Sequence, residues 1–227
     1  MLISYDKISN NLKNKEVKKY YKLLNKKKIY LVFKRIFDIV GSLLLLILLS
    51  PIFLIISIMI KIDSKGSIFY RQERITQYGR KFKIFKFRTM IFDADKKGSL
   101  VTTNKDNRIT KVGNKIRNLR LDEIPQLINV LIGDMTFVGT RPEVEKYVLK
   151  YTDEMKATLL LKAGVTSRAS INFRDEALIM DKYLKQNMDI DDIYIKKILP
   201  EKMKYNLDYL KNCNLIEDIK ICIKTLM

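Results

Sequence analysis

Residues 39–60 read IVGSLLLLILLSPIFLIISIMI, an uninterrupted apolar run with a Ser50-Pro51 step at its centre. A run of about 20 apolar residues is long enough to cross the hydrocarbon core of a bilayer. Proline inside a helix removes one backbone hydrogen bond and clashes with the carbonyl one turn earlier, here that of Ile47. The sequence therefore predicts a bent membrane helix, and the Ser50 hydroxyl is a candidate partner for a freed backbone group.

Basic residues cluster on both sides of the apolar run, within residues 26–35 and 61–74. Basic flanks favour the cytoplasmic side of a membrane. A straight span cannot place both flanks on that side, whereas a re-entrant hairpin bent at Ser50-Pro51 can. The alternative is a kinked straight span whose basic flanks arise by chance. The charge pattern and the proline together favour the hairpin.

The chain has 227 residues, which leaves room for one cytosolic domain after the apolar run. We predict three parts: a basic N-terminal arm at residues 1–30, a re-entrant membrane helix at 31–62 and a cytosolic domain at 63–227. The arm is lysine-rich and is predicted to lie on an anionic membrane surface. The alternative interpretation is a solvated and partly disordered tail.

The formal net charge of +19 predicts an anionic partner, which could be nucleic acid, acidic lipid or a phosphorylated substrate. A nucleic-acid binder would combine its basic residues with aromatic residues on a recognisable module. Here many basic residues flank the apolar run instead, so we expect no nucleic-acid partner. Cys213 and Cys222 are too far apart for a Cys-x-x-Cys pair and indicate neither a disulfide framework nor a zinc site.

The sequence beyond residue 62 predicts an α+β fold that is mostly helical. Residues 68–70 and 82–88 are rich in β-forming residues, and Tyr78-Gly79-Arg80 supplies a turn between them. In this hairpin Lys86 and Arg88 are expected on one face, with Phe85 and Phe87 on the other. Helices are predicted at three further places: residues 143–162, residues 176–226 with a break near Pro200, and an amphipathic surface helix at 215–227.

A pair of adjacent carboxylates, Asp122-Glu123, precedes a helical stripe of apolar residues that ends before Gly133. Asp122 is predicted to be the N-cap of this helix, and a helix N-terminus favours an anion. The chain has no histidine, so chemistry here depends on carboxylates, basic groups, hydroxyls or an oxygen-bound metal. Carboxylates combined with nearby arginines suit magnesium-assisted phosphoryl transfer. The alternative is that Asp122 is only a cap, Glu123 only a first-turn acid, and the arginines surface charges.

Seven motifs stand in the order found in one known family. They are Lys34-Arg35…Asp38, Ser50-Pro51, Phe69-Tyr70-Arg71-Gln72-Glu73-Arg74, Lys86-Phe87-Arg88-Thr89-Met90, Leu121-Asp122-Glu123-Ile124-Pro125-Gln126-Leu127-Ile128-Asn129-Val130-Leu131, Gly133-Asp134-Met135 and Val138-Gly139-Thr140-Arg141-Pro142. The chain resembles the bacterial sugar transferases, the small monotopic phosphoglycosyl transferases that start polysaccharide and glycoconjugate assembly. The resemblance is dense over residues 31–145, and a weaker similarity continues to the C-terminus.

The resemblance implies a transferase that moves a sugar-1-phosphate from a UDP-sugar to polyprenol (undecaprenyl) phosphate and releases UMP. In this family Asp122 would be the nucleophile, giving a covalent aspartyl-phosphosugar, and Glu123 its partner acid. Mg²⁺ would assist, with Asp122 as its protein ligand. The residues expected to bind substrate are Arg141, Arg88, Lys86 and Arg117.

The resemblance also implies a place in the cell. The domain at 63–227 would be catalytic and would lie on the cytoplasmic face of the bacterial inner membrane, in contact with anionic lipids. The alternative function is a non-catalytic membrane-surface scaffold of the same fold, and the intact Asp122-Glu123 pair argues against it. Homodimer formation is left open by the sequence, as are the donor sugar and the glycan product.

The sequence departs from the family pattern in two places, of which the second, at residues 162–168, shapes the donor side in the family. Thr140 stands where the family usually has proline, and this change leaves Arg141 in place. The usual Arg-Pro-Gly-Ile-Thr-Gly segment is replaced by residues 162–168, which read KAGVTSR. A charged, tyrosine-rich stretch at residues 176–204 has no assigned role.

Overall fold

The computed structural model describes residues 2–91, 93–94, 107–174, 179–180, 183 and 189–226. Part of the unassigned stretch at 176–204 lies outside these residues. The described chain is mostly helical with two small sheets, which confirms the predicted α+β class. The strands are β1 (Phe69–Ile75), β2 (Lys81–Phe87), β3 (Met135–Val138) and β4 (Ala163–Thr166). The α-helices are α1 (Lys15–Asn25), α2 (Lys28–Leu48), α3 (Ser50–Asp63), α4 (Lys111–Asn118), α5 (Gln126–Ile132), α6 (Glu145–Val148), α7 (Arg168–Asn172), α8 (Ile190–Ile193), α9 (Leu199–Asn212) and α10 (Leu215–Leu226).

The apolar run forms two helices, α2 and α3, that meet at the Ser50-Pro51 step with a bend of 61°. The Ser50 hydroxyl donates a hydrogen bond of 2.8 Å to the carbonyl of Ile47, which confirms the predicted break and the predicted partner. Within the described residues no helix is, by itself, long and apolar enough to cross a membrane, whereas this bent pair could by length and composition. Many of its leucines and isoleucines are exposed, up to 82% for Ile62.

The motif Lys34-Arg35…Asp38 attaches α2 to the rest of the domain. Lys34 forms a buried ion pair of 2.7 Å with Asp218 in α10. Arg35 donates to the carbonyls of the last turn of α5, at Val130 (2.7 Å) and Leu131 (2.9 Å). The Asp38 carboxylate accepts hydrogen bonds from β3, from the Thr136 hydroxyl and the Phe137 N–H, both at 3.0 Å. Three secondary-structure elements thereby fix how the bent pair leaves the domain.

The predicted hairpin is confirmed, and Lys86 and Phe87 lie on opposite faces of β2 as expected, but neither face is wholly apolar or wholly cationic. Strands β1 and β2 pair antiparallel, and the turn uses Tyr78 and Gly79 in left-handed conformations (φ 60° and 77°). Phe82 and Ile84 face a cluster that includes Val130 and Met135. Phe87, on the opposite face, packs against Ile56, Ile60 and Ile116. Over residues 81–84 the alternation separates exposed lysines from buried apolar residues, but Phe87 is buried on the face that carries those lysines. Both faces of β2 therefore contribute apolar side chains to a core cluster.

Strands β3 and β4 form a second, parallel sheet that was not predicted from the sequence. The pairing continues past the strand ends: the Gly139 N–H donates to the Thr166 carbonyl at 3.0 Å, and the Gly164 N–H donates to the Thr140 carbonyl at 2.9 Å. These bonds hold the backbone immediately before Arg141.

The N-terminal arm folds onto the domain, so the alternative of a solvated, partly disordered tail is wrong. Helix α1 begins after Asn14, whose side chain accepts the Val17 N–H at 2.8 Å. Val17, Tyr20 and Leu24 are buried in the main core. The Tyr20 hydroxyl donates to Glu154 at 2.7 Å. A helical spacing of apolar residues within a lysine-rich segment explains why the arm packs.

Two of the other predicted helices differ from the structure. Residues 143–162 contain only the short α6 and a 3₁₀ helix at Met155–Leu160. Near Pro200 the helix does not break: a π turn at Tyr194–Ile198 leads directly into α9. Proline lacks an N–H donor, and a widened turn just before it accommodates the missing bond. Helix α10 matches the prediction at 215–227.

Candidate active site

Asp122 and Glu123 lie in a single 3₁₀ turn, Leu121–Glu123, that precedes α5. The prediction that Asp122 is the N-cap of this helix is wrong. Arg120 before the turn is left-handed (φ 58°), and α5 begins only at Gln126, without a side-chain cap. The carboxylate of Asp122 is therefore not used by the helix. Gly133 ends α5 in a left-handed conformation (φ 94°), as predicted.

Glu123 is held by two cations. The Lys86 ammonium lies 2.7 Å from its Oε1 atom. Arg141 donates from Nη1 to Oε2 at 3.2 Å and from Nη2 to Oε1, which is the bidentate arrangement that favours arginine. Burial alone would raise the pKa of Glu123, but Arg141 and Lys86 outweigh burial and hold this pKa well below its ordinary value. Glu123 is therefore a fixed anion that positions both cations.

Asp122 differs from its neighbour in every one of these respects. It makes no ion pair within the part of the chain that the structure describes. Burial raises the pKa of the Asp122 carboxyl above its ordinary value; Lys86 and Arg117 oppose this shift, and the charge of Glu123 adds to it. A partly buried carboxylate that lacks an ion partner is more basic, and hence more nucleophilic, than a fully solvated one. The two adjacent acids thus have separate roles.

The remaining predicted site residues fall into two groups. Arg117, in the last turn of α4, acts on Asp122 through its charge. Arg88 is placed elsewhere: it is 6% exposed and donates from Nη2 to the carbonyl (2.6 Å) and hydroxyl (2.9 Å) of Ser64, just after α3. The structure therefore gathers Lys86, Arg117 and Arg141 around the acids and sets Arg88 toward the end of the bent helix pair.

The sequence analysis did not identify Asn129, which links β2 to α5 beside the two acids. Its amide oxygen accepts the Phe85 N–H at 2.8 Å, and its amide nitrogen donates to the Lys83 carbonyl at 3.1 Å. The residue is fully buried in α5. It holds β2, which supplies Lys86, against the helix that follows Glu123. The sequence feature that could have indicated this role is a single asparagine within an apolar helical stripe.

The loop that carries Arg141 is also held by hydrogen bonds and an ion pair to the two residues that follow Arg141. Arg74 donates to the Pro142 carbonyl at 3.4 Å. The buried Glu143 carboxylate accepts the Tyr194 hydroxyl at 2.5 Å, and Lys202 lies 3.8 Å from the same oxygen. Tyr194 and Lys202 belong to the stretch at 176–204 that had no assigned role. Its described part therefore braces the segment that carries Arg141.

The acidic groups of the site fit a magnesium ion only when substrate completes its ligands. Among the described residues there is no cluster of three or more His, Cys, Asp or Glu side chains that could hold a metal. Mg²⁺ commonly binds through one or two carboxylates together with substrate phosphates. Since Glu123 is occupied by Lys86 and Arg141, Asp122 is the carboxylate that suits this role.

Comparison with known proteins identifies the family to which this site belongs. The model of the family described as Bacterial sugar transferase matches residues 29–227. The chain belongs to this family. It is 38% identical over 172 residues to a UDP-glucose:undecaprenyl-phosphate glucose-1-phosphate transferase of Klebsiella pneumoniae, covering 74% of this chain and 37% of the relative.

Two further relatives differ in length. A UDP-N-acetylgalactosamine-undecaprenyl-phosphate N-acetylgalactosaminephosphotransferase of Aeromonas hydrophila is 32% identical over 201 residues, covering 87% of this chain and 44% of the relative. The exopolysaccharide production protein ExoY of Sinorhizobium fredii is 34% identical over 208 residues, covering 85% of this chain and 83% of the relative. The chain thus spans less than half the length of the first two relatives.

Proposed function

We propose that this protein transfers a sugar-1-phosphate from a UDP-sugar to undecaprenyl phosphate and so starts the assembly of a bacterial polysaccharide. The observation that carries the proposal is the division of roles between the two adjacent acids. Glu123 is held by Lys86 and Arg141, whereas Asp122 has no ion partner among the described residues and a raised pKa. The relatives whose names state this reaction support the same activity.

The proposed reaction has two steps. An Asp122 carboxylate oxygen attacks the sugar-bearing phosphorus of the UDP-sugar, the bond from that phosphorus to the bridging oxygen breaks, and UMP leaves. A phosphate oxygen of undecaprenyl phosphate then attacks the same phosphorus. The bond to Asp122 breaks, the carboxylate is regenerated, and the product is the lipid diphosphate sugar. A covalent intermediate divides one difficult transfer between two bulky substrates into two easier displacements.

The basic residues around Asp122 would offset the negative charge that gathers during each displacement. Arg141 and Lys86 are held in place by Glu123, so they require no reorganisation when substrate arrives. Arg117 adds a third positive charge beside the nucleophile. When bound by Asp122 and the donor diphosphate, Mg²⁺ would neutralise phosphate charge.

The proposed site of action is the cytoplasmic face of the bacterial inner membrane. The bent pair α2–α3 would enter the bilayer as a re-entrant hairpin with its exposed apolar residues in contact with lipid. Helix α10 adds a second apolar stripe formed by Leu215, Ile216, Ile219 and Ile223, all at least 40% exposed. Lys220 and Lys224 flank this stripe and suit anionic headgroups.

The experiment that tests the function is UMP release by detergent-solubilised protein with magnesium, undecaprenyl phosphate and a panel of UDP-sugars. Release with one donor, dependent on the lipid acceptor, would support the proposal and name the sugar. Folded protein that releases no UMP with any donor in the panel would instead favour the non-catalytic scaffold.

The pH dependence of the first step provides a further prediction. Asp122 must be ionised to attack, so the rate of UMP release is expected to fall as the pH falls through its raised pKa. Arg117 lowers this pKa. Arg117→Gln should therefore move the acid limb of the rate profile to higher pH. Single-turnover UMP release measured between about pH 4 and 8 would show the shift, with Lys111→Gln at the exposed start of α4 as the control. An unchanged limb would contradict the role of Arg117.

The membrane hairpin gives a separate prediction. Pro51→Ala restores a backbone donor, and Ser50→Ala removes the hydroxyl that satisfies the Ile47 carbonyl. The double substitution is expected to favour a straight span, in which the N-terminus lies on the far side of the membrane and α1 gives up its packing in the main core. Labelling a cysteine at residue 7 with a membrane-impermeant reagent, in cells and in inverted vesicles, would report the side. Ser57→Ala in α3 is the control, because its hydroxyl bonds one turn back at a site without proline. An unchanged side for the double variant would contradict this prediction.

A further inference from the structure

Arg88 is a buried cation whose hydrogen-bonding capacity is only partly used. Its side chain is 6% exposed, yet its Nε and Nη1 atoms have no hydrogen-bond partner among the residues that the structure describes. The third nitrogen, Nη2, donates to the carbonyl and hydroxyl oxygens of Ser64, which are neutral groups. Buried charges in proteins are normally paired with a group of opposite charge. Within the described part of the chain, Arg88 therefore has no anion paired with it.

The acid whose charge acts on Arg88 does not supply this anion. Asp63, the last residue of α3, influences Arg88 through its charge but forms no ion pair with it within the described residues. The Asp63 Oδ2 atom instead accepts the Val112 N–H at 3.1 Å, at the start of α4. Glu123, the paired acid of the candidate active site, is already held by Lys86 and Arg141.

The position of Arg88 indicates where its anion would come from. Ser64, to which it is bonded, follows directly on α3, the helix proposed to leave the membrane there. In the other direction Arg88 follows β2, and Lys86 of that strand reaches the acid beside Asp122. Arg88 thus lies between the proposed membrane boundary and the proposed nucleophile.

The residue before Arg88 and the helix that leads to Ser64 are both apolar. The neighbouring Phe87 ring lies 5.2 Å from the ring of Phe53 and 5.6 Å from that of Phe69. The outer surface of α3 is also apolar, with exposed side chains at Leu54, Ile55, Ile58 and Ile62. A cation with unused donors above such a surface suits an amphipathic anion with a hydrocarbon chain.

We propose that the unpaired donors of Arg88 bind the phosphate of the polyprenyl phosphate acceptor, and that Ser64 fixes the guanidinium for this contact. The assignment rests on the proposed function for the identity of this lipid. The assignment gives the basic residues two different substrates. Lys86, Arg117 and Arg141 would bind the donor diphosphate at Asp122, and Arg88 would bind the acceptor phosphate. A phosphate monoester also carries more charge than the phosphodiester of an ordinary phospholipid headgroup.

The test uses the full chain in detergent and three variants. Arg88→Met removes the donors, Arg88→Lys retains the charge, and Lys83→Met changes an exposed side chain on the same strand as the control. Binding of a short prenyl monophosphate is measured by calorimetry, with the prenyl alcohol, a UDP-sugar and vesicles of anionic phospholipid as comparisons. Burst release of UMP without acceptor is measured in parallel.

Arg88→Met is expected to weaken prenyl monophosphate binding about tenfold or more. Its affinity for the UDP-sugar and its UMP burst should stay within about twofold of the unmodified protein, and Arg88→Lys should be intermediate. Unchanged prenyl monophosphate binding would overturn the assignment, as would an equal loss of UDP-sugar affinity or a loss confined to phospholipid vesicles. If Arg88→Met does not fold, Arg88→Lys decides by the same criteria. The binding measurements need no turnover, so they decide the role of Arg88 even if no UMP is released.

Discussion

Asp122→Asn is expected to abolish UMP release, with a loss of about a thousandfold or more, because the amide cannot form the aspartyl-phosphosugar. The same substitution should not weaken the fold. The raised pKa of Asp122 means that the folded state binds this proton more tightly than the unfolded chain does. Its contribution to stability is therefore present at low pH and is lost as the pH rises through the raised pKa. At neutral pH the ionised carboxylate opposes folding, so the asparagine variant should melt at the same or a higher temperature.

Two measurements check this prediction together. Labelling with a UDP-sugar that carries a radioactive sugar detects covalent phosphosugar on the protein, and thermal melting reports the fold. Asp153→Asn is the matched control, because Asp153 is an exposed acid in a surface pair with Lys156. Covalent label that persists on Asp122→Asn would overturn the assignment of the nucleophile. A clear drop in melting temperature would show that Asp122 supports the fold instead.

The features that the sequence predicted well depend on neighbours in the chain. The break at Ser50-Pro51 follows from one proline and one hydroxyl within a single turn. The β1–β2 hairpin follows from two β-rich segments around a glycine turn, and the end of α5 from Gly133. In each case the deciding interaction spans only a few residues, so the sequence pattern contains it.

The features that were missed depend on partners far apart in the chain. Strands β3 and β4 are four residues each and pair across more than 20 residues, so neither shows a period that a sequence pattern could detect. The N-terminal arm is buried because α1 meets the 3₁₀ helix at Met155–Leu160 and α9. Its lysines were visible in the sequence, whereas the surface that covers Val17, Tyr20 and Leu24 was not.

The sequence predicted which residues form the site, but not the different roles of the two acids. Asp122 and Glu123 are adjacent and chemically alike, and the sequence does not indicate which of them is held by cations. That difference arises because Lys86 and Arg141 come from β2 and from the loop after β3. Arg88 shows the reverse case: it is two residues from Lys86, yet its hydrogen bonds are to Ser64 at the end of α3.

Gly164→Ala is expected to produce the largest loss of stability among these substitutions. A Cβ atom at this position would lie 2.2 Å from the Gly139 nitrogen and 2.4 Å from its carbonyl oxygen. These are backbone atoms that cannot rotate away, so β3 and β4 would have to separate. The separation would break the hydrogen bonds that join Gly139 to Thr166 and Gly164 to Thr140. Overpacking together with two lost hydrogen bonds should lower the free energy of unfolding by about 3–4 kcal/mol.

Thermal melting and UMP release would measure both consequences. For a chain of this size the melting temperature should fall by about 8 °C or more. Gly79→Ala is the matched control: this glycine is left-handed but has open space around it, so alanine there should cost only about 1 kcal/mol. A melting temperature for Gly164→Ala no lower than that of the control would contradict the close approach of the two strands. Because the Thr140 carbonyl precedes Arg141 directly, the variant that stays folded should also release UMP more slowly than Gly79→Ala. Gly79→Ala thus measures the conformational cost of alanine in a left-handed position, whereas Gly164→Ala measures the steric clash between strands. Only the steric clash is expected to slow UMP release.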